Sequence, residues 1–83
     1  MNKLAQELKP LNNAARKRRR SFTKRLWTLH GATMKELSGE TDSWRIGELW
    51  RLEAVISGLI DRCVGSDADV LAAMNEARAA GLA

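Results

Sequence analysis

The sequence predicts an all-α fold: an α-hairpin of two long helices closed by a short third helix. Apolar residues recur at a spacing of three or four along the 83-residue chain, and no segment of any length alternates apolar and polar residues as a strand would. Glycines and capping residues stand where these helical patterns end. Because 83 residues provide only one modest core, we expect a single helical domain over residues 1–83.

The first predicted helix has one narrow apolar stripe. A proline is tolerated in the first turn of a helix but kinks its interior, so Pro10 predicts an N-terminal arm or short helix over residues 1–12. The main helix is then expected over residues 13–38. The stripe comprises Leu4, Leu8, Leu11, Ala15, Phe22, Leu26, Leu29 and Leu37.

Two glycines bear on the end of this helix. Gly31 leaves two alternatives open, one continuous helix that tolerates the glycine, or a fresh turn capped by Thr33 and Glu36. Gly39 is expected to end the helix in the left-handed conformation. Residues 40–43 then form the turn.

The second predicted helix spans residues 43–64, opens near Asp42 or Ser43, and ends before Gly65. Its opposite side carries small residues that would let another backbone approach closely, either the third helix or a second subunit. Its wide apolar arc is typical of a central core helix. The arc comprises Trp44, Leu49, Leu52, Val55, Ile56, Leu59, Ile60 and Cys63, and the small residues are Gly47, Ala54 and Gly58.

The third predicted helix spans residues 67–80. Ser66 and Asp69 have the spacing of a capping box at its start. Gly81 and Leu82 indicate a glycine cap with its hydrophobic contact at the end. The residues expected to face inward are Val70, Leu71, Met74 and Ala77.

Positive charge is concentrated near the start of the chain. Seven of the ten residues from Arg16 to Arg25 are Lys or Arg, which is half of the 14 cations in the protein. Residues 1–30 carry nine cations and one acid, whereas residues 31–83 carry five cations and nine acids. This split indicates a basic working surface on a more neutral scaffold, and it would equally allow two copies to associate head to tail.

The basic stretch is the strongest candidate site. Helical winding places several cations and Trp27 opposite the apolar stripe. Cations neutralise phosphates and an exposed aromatic ring stacks on unpaired bases, so we expect contact with nucleic acid, DNA or RNA. Contact with an acidic protein surface and a merely solvated face remain alternatives. The candidate residues are Arg16, Lys17, Arg18, Arg19, Arg20, Lys24, Arg25 and Trp27.

Within this stretch, the run KRRRSFTKRLW places an aromatic residue after a series of arginines. In this respect it is similar to the arginine-rich RNA-binding helices of phage antitermination proteins. The resemblance covers this run only and implies nothing about the rest of the chain.

Two further tryptophans have different expected roles. Trp44 lies on the apolar arc and is expected in the core. Trp50 lies at the edge of the arc, where it either fills a groove against the third helix or is exposed as an interface anchor. The possible protein interface comprises Gly47, Trp50, Arg51, Ala54 and Gly58.

Residues for catalysis or metal binding are few. His30 and Cys63 are the single histidine and cysteine and lie on different predicted helices, which falls short of a zinc site. No glycine-rich phosphate loop occurs in the sequence. We therefore expect no enzymatic activity, no metal and no cofactor.

The sequence also bears on location. A lone cysteine cannot close an intrachain disulfide, and no apolar run approaches the roughly 18 residues that a membrane span needs. We expect a cytoplasmic protein without membrane contact.

Together these features predict a small nucleic-acid-binding regulator or accessory protein, in the form of a homodimer. The alternative is a helical adaptor or inhibitor that binds one protein target, such as a phage- or plasmid-type modulator of a host protein. It would use the basic helix and exposed tryptophan surfaces.

Overall fold

The computed structural model describes the backbone of residues 2–82 and the side chains of residues 14–82. Its three helices are α1 (Asn2–Gly39), α2 (Ser43–Arg62) and α3 (Asp67–Ala79), and no strand occurs between residues 2 and 82. The predicted all-α hairpin with a short third helix is confirmed. Its extents of 61 × 18 × 18 Å are those of a rod, because α1 has 38 residues and each adds about 1.5 Å.

α1 is continuous at both positions where the sequence suggested an interruption. The sequence predicted a separate arm or short helix before residue 13. Instead, α1 includes Pro10 and runs without a break from residue 2. It also runs through Gly31, as in the first of the two alternatives, and a glycine there costs about 1 kcal/mol in helix propensity. The expected packing of Leu4 and the rest of the stripe before residue 14 lies outside the described side chains.

The turn between α1 and α2 differs from the prediction. Gly39 does not adopt the left-handed conformation, because Gly81 is the one residue with positive φ in the described part of the chain. Instead, Oε1 of Glu40 accepts hydrogen bonds from the backbone amides of Thr41 and Asp42, each at 3.1 Å. These bonds hold the turn without a left-handed residue. Asp42 then caps α2 by accepting from the Trp44 amide at 3.0 Å, as predicted.

The caps predicted for α3 are confirmed at both ends. Ser66 accepts a hydrogen bond from the amide of Asp69 at 3.3 Å, and Asp69 accepts from the Ser66 amide at 3.0 Å. The backbone and hydroxyl donors of Ser66 lower the pKa of Asp69 below its ordinary value. At the other end, Leu82 donates to the Ala77 carbonyl at 2.8 Å after Gly81, whose φ is 76°, as in a Schellman motif.

The helices form an up-down-up arrangement. His30 of α1 pairs with Glu53 of α2, and Glu36 of α1 pairs with Arg45 of α2 nearer the turn. Later residues of α1 thus meet earlier residues of α2, so the two helices are antiparallel neighbours. α3 then runs in the same direction as α1. Its start lies near Arg19 and its last turn lies near Arg25, as shown by the residues that share surface hollows.

The core lies where all three helices meet. Leu26, Ile56 and Leu59 are its largest fully buried side chains. Alanine at positions 73 and 77 lets α3 come close to the other two helices, and burial of this apolar surface is the main stabilising contribution. The buried cluster comprises Phe22, Leu26, Ile56, Leu59, Cys63, Val70, Ala73 and Ala77.

Three residues predicted to be buried are exposed. Trp44 is 71% exposed, Leu71 is 60% exposed, and Val55 also faces solvent. The placement of Trp44 on a buried arc was wrong because α3 has only 13 residues and spans about 20 Å. It covers one side of the second half of α2, whereas Trp44 lies in the first turn. Val55 lies in the half of α2 that α3 reaches, but on a side that α3 leaves exposed.

Gly65 is required by the close approach of α3 to the end of α2. A Cβ atom at Gly65 would lie 2.5 Å from Oδ2 of Asp69 and 3.2 Å from the carbonyl oxygen of Arg62. Gly65→Ala should displace Asp69 from its cap and lower the free energy of unfolding by about 1–2 kcal/mol. Urea denaturation measures the change.

Gly31→Ala is the matched control for this substitution. A Cβ atom at Gly31 meets no heavy atom within 4 Å, and its backbone is helical. This change should raise the free energy of unfolding by up to about 1 kcal/mol. Equal denaturation midpoints for Gly65→Ala and the wild type would rule out the steric role of Gly65.

Candidate nucleic-acid interface

Six of the seven cations in the basic stretch are exposed on α1. The described ion pairs of arginine with carboxylates involve Arg19, Arg45 and Arg62, and among the described side chains none of the six exposed cations pairs with an acid. No carboxylate among the described side chains therefore balances their charge, which an anionic partner could neutralise. The six are Arg16, Lys17, Arg18, Arg20, Lys24 and Arg25.

Arg19 is placed differently from its neighbours. Its Nη2 donates to the carbonyl oxygens of Cys63 and Gly65, each at 2.8 Å, and its Nε donates to Cys63 at 3.2 Å. Nη1 also pairs with Asp67 at 3.3 Å. The carbonyls at the end of α2 lack partners within the helix and carry partial negative charge, which the guanidinium satisfies.

The position of Arg19 beside the apolar stripe is the sequence signal for this role. A cation three residues before Phe22 reaches the neighbouring helices with its stem on apolar surface. Arg19 is among the binding residues that the sequence predicts, whereas the structure gives its guanidinium intramolecular partners.

The exposed cations fall on two sides of α1. Arg16, Arg20 and Lys24 follow one another at a spacing of four, on the side that carries Trp27. We call these four residues the open face. Arg18 and Arg25 are seven residues apart and lie towards α3, and Lys17 lies between the two sets.

Trp27 is held at the surface by a chain of side chains that reaches α2. The ring is 56% exposed and meets His30 edge to face, with ring centroids 5.8 Å apart. His30 Nε2 lies 3.2 Å from Oε1 of Glu53, which also accepts a hydrogen bond from the Ser57 hydroxyl at 2.6 Å. These contacts fix Trp27 beside the cations of the open face.

Glu53 anchors this chain as a carboxylate. The hydroxyl of Ser57, followed by His30, lowers the pKa of Glu53 below its ordinary value of 4.5, so it is ionised at neutral pH. Sequence reasoning missed Glu53 and Ser57, and their spacing of four on one side of α2 was the available signal.

The small residues of α2 face solvent. Cβ atoms at Gly47 and Gly58 would meet no heavy atom within 4 Å, and Ala54 between them is exposed. α3 therefore does not pack on this row. Trp50 is 51% exposed and Arg51 is also exposed, which excludes the alternative of a groove filled by Trp50 against α3.

One cation near the basic stretch was missed by sequence reasoning. Arg78 of α3 lines the same surface hollow as Arg18 and Arg25. It lies more than fifty residues from them in the sequence, so only the direction of α3 along α1 brings the three together.

Two other kinds of site are absent from the described part of the chain. None of its helices combines the length and apolar character needed to cross a membrane. Within the same residues, no three His, Cys, Asp or Glu side chains converge as metal ligands would.

The geometry of α1 is the main guide to function. Comparison with family models, with curated proteins and with solved structures gives no match to this chain.

Proposed function

We propose that this chain is a small cytoplasmic nucleic-acid-binding regulator or accessory protein whose α1 contacts phosphates. The observation that carries the proposal is the set of six exposed cations within ten residues, none of them paired with an acid among the described side chains. Like charges four residues apart destabilise a helix, so such a cluster favours a polyanionic partner that neutralises it.

The position of Trp27 favours strands with unpaired bases. On the open face, the exposed ring of Trp27 contacts His30 and lies on the same side of α1 as Arg20 and Lys24. Arg20 and Lys24 would contact phosphates while Trp27 stacks on a base, and such stacking contributes about 1–3 kcal/mol per base. An intact duplex offers few base faces for this contact.

Exchange of Trp27 for alanine tests this arrangement. Trp27→Ala should weaken binding to a labelled single-stranded oligonucleotide about tenfold, because it removes one stacking contact. Binding to a duplex of the same sequence should change by less than about twofold. Fluorescence anisotropy at low salt measures both affinities.

Trp50→Ala is the matched control, because Trp50 is similarly exposed but lies on α2 away from the basic stretch. It should leave both affinities unchanged. Equal losses for Trp27→Ala and Trp50→Ala, or a loss on duplex as large as on single strands, would exclude stacking on Trp27.

A second function is supported by the exposed tryptophans. Trp27 and Trp50 both face solvent, and Trp and Arg are favoured anchors in protein interfaces. An adaptor or inhibitor would bind one acidic protein target through the basic helix and these rings. Failure of every polynucleotide to bind at low salt, together with retention of an acidic protein on the immobilised chain, would select this function over nucleic-acid binding.

We also propose that the protein is a homodimer that uses the exposed face of α2. The small residues Gly47, Ala54 and Gly58 form an open row on α2, and Trp44 and Trp50 are exposed on the same helix. A second copy of the chain would bury both rings, and small proteins often gain core area in this way.

Light scattering tests the dimer. We expect the mass of two chains at tens of micromolar protein, and the mass of one chain for Ala54→Arg, which places a charge in the middle of the row. Ala54 is exposed, so the substitution should leave the helical circular dichroism spectrum unchanged. A wild-type protein with the mass of one chain would exclude the dimer.

A further inference from the structure

A concave surface lies between α1 and α3, on the other side of α1 from Trp27. One hollow of about 350 Å³ lies there. Its rim carries four cations and the Ser21 hydroxyl, and no carboxylate lines it. The residues that matter are Lys17, Arg18, Arg25 and Arg78 at the rim, with Phe22 and Met74 as the apolar floor.

A second hollow continues the first towards the start of α3. It has a volume of about 340 Å³ and shares Arg18 and Met74 with its neighbour. Its walls are mainly apolar, and Leu71 on its edge is 60% exposed. We call the two hollows together the α1–α3 trough.

The trough has the dimensions of a short helix. It extends along α1 from Ala15 to Arg25, which are ten residues apart, and so covers about 15 Å or three helical turns. On α3, Leu71, Met74 and Arg78 line it at a spacing of three and four. A helix laid between two helices that run alongside each other packs its side chains into such a channel.

We propose that the α1–α3 trough binds an acidic amphipathic helix of about three turns from a partner protein. Apolar side chains of that helix would cover Leu71 and Met74. Its carboxylates would pair with Arg18, Arg25 and Arg78, whose fork geometry suits carboxylates. The partner helix completes a four-helix arrangement in which the exposed apolar surface of α3 is buried.

Charge and shape favour this partner over a nucleic-acid strand at the trough. A phosphate backbone gains nothing from covering Leu71 and Met74. Phe22 is only 9% exposed, so its ring offers no free face for base stacking. Asp67 borders the apolar end of the trough and is paired there with Arg19. Because like charges repel, the acidic side chains of the partner would lie at the other end.

The proposal adds a second surface to the protein and does not depend on nucleic-acid binding by the open face. Trp27 and Arg20 lie on one side of α1, and Arg18 and Arg25 lie on the other. Both surfaces are available on the same molecule, so the protein would hold a partner protein on a nucleic acid.

Three synthetic peptides of about four turns serve as probes of the trough. The first has leucine at a helical spacing of three and four with flanking glutamates. The second has the same composition in scrambled order, and the third has lysine in place of each glutamate. Fluorescence anisotropy of labelled peptides should show that the first peptide binds. The scrambled and lysine peptides should bind with at least tenfold lower affinity.

Substitutions in the trough locate the binding. Leu71→Glu should weaken binding of the glutamate peptide at least tenfold and leave the affinity for the oligonucleotide unchanged. The double change Arg25→Glu and Arg78→Glu should reverse the preference, so that the lysine peptide binds more tightly than the glutamate peptide. These side chains are exposed, and circular dichroism verifies that the variants fold.

Arg20→Ala, on the open face, is the control that should leave peptide binding unchanged. Several results would overturn the proposal: no binding of the glutamate peptide, equal binding of the scrambled peptide, or no effect of Leu71→Glu. Loss of oligonucleotide affinity in Leu71→Glu would assign the trough to nucleic acid, and loss of self-association in that variant would assign it to a second copy of the chain. Either outcome excludes the peptide proposal.

Discussion

Arg19→Ala is expected to lower the free energy of unfolding by about 2–3 kcal/mol, whereas Arg20→Ala should change it by less than about 0.5 kcal/mol. The two residues are adjacent and identical in type, so the comparison isolates position. Arg19 donates to the carbonyl oxygens of Cys63 and Gly65 and pairs with Asp67. The head of Arg20 is exposed and has no acid partner among the described residues.

The size of the Arg19 effect follows from the groups left behind. A hydrogen bond from a charged donor contributes about 1.5–3 kcal/mol when it is buried, and partial exposure of this guanidinium reduces that value. Two carbonyls at the end of α2 would lose their donor in the variant. For a domain of this size, the expected loss lowers the melting temperature by on the order of 10 °C.

Thermal and urea denaturation of the two variants provide the measurement. Arg19→Lys is a useful third variant, because an ammonium group keeps the charge but cannot donate to two carbonyls from one planar fork. It should recover less than half of the lost stability. Equal stability of Arg19→Ala and Arg20→Ala would show that Arg19 does not cap α2.

The helices themselves could be predicted from the sequence. Apolar spacing located all three, and local signals identified the caps at Asp42, Ser66 and Gly81. These features depend on residues within one or two turns of each other, so a single sequence contains the information. The prediction at Gly39 was wrong because the side chain of Glu40 supplied the turn with hydrogen bonds instead.

Burial on α2 could not be predicted in the same way. Periodicity identifies the apolar side of a helix but not how far a neighbouring helix covers it. Trp44 lies on the expected arc, yet α3 is too short to reach it. Leu71 is exposed at the edge of the trough for a related reason, since α3 turns Val70 and Ala73 to the core and leaves Leu71 beside Arg18.

The candidate site shows the same limit. The basic stretch was evident from composition, and the exposure of Trp27 was expected from its place opposite the stripe. The separate role of Arg19 depends on carbonyls more than forty residues away in the sequence. The convergence of Arg78 with Arg25 depends on the direction of α3, which local patterns do not contain.

The affinity for nucleic acid is expected to fall steeply with salt, because the open-face cations Arg16, Arg20 and Lys24, together with Lys17 beside them, would each release a counterion. Contact of these four with phosphates gives a slope of log affinity against log salt of about −3 on a single strand and about −3.6 on duplex DNA. Replacement of Arg16, Arg20 and Lys24 by alanine should flatten the slope on a single strand by about two units. Arg19→Ala should leave it unchanged at a temperature where the variant is folded.

The decisive measurement is this slope on one labelled single strand, for the wild type and for the triple variant in which Arg16, Arg20 and Lys24 are alanine. We predict a wild-type slope of about −3 and a variant slope of about −1, with circular dichroism showing the same helix content in both proteins. An identical slope in the two proteins, or no binding by the wild type at low salt, would contradict the assignment of α1 as a nucleic-acid-binding helix.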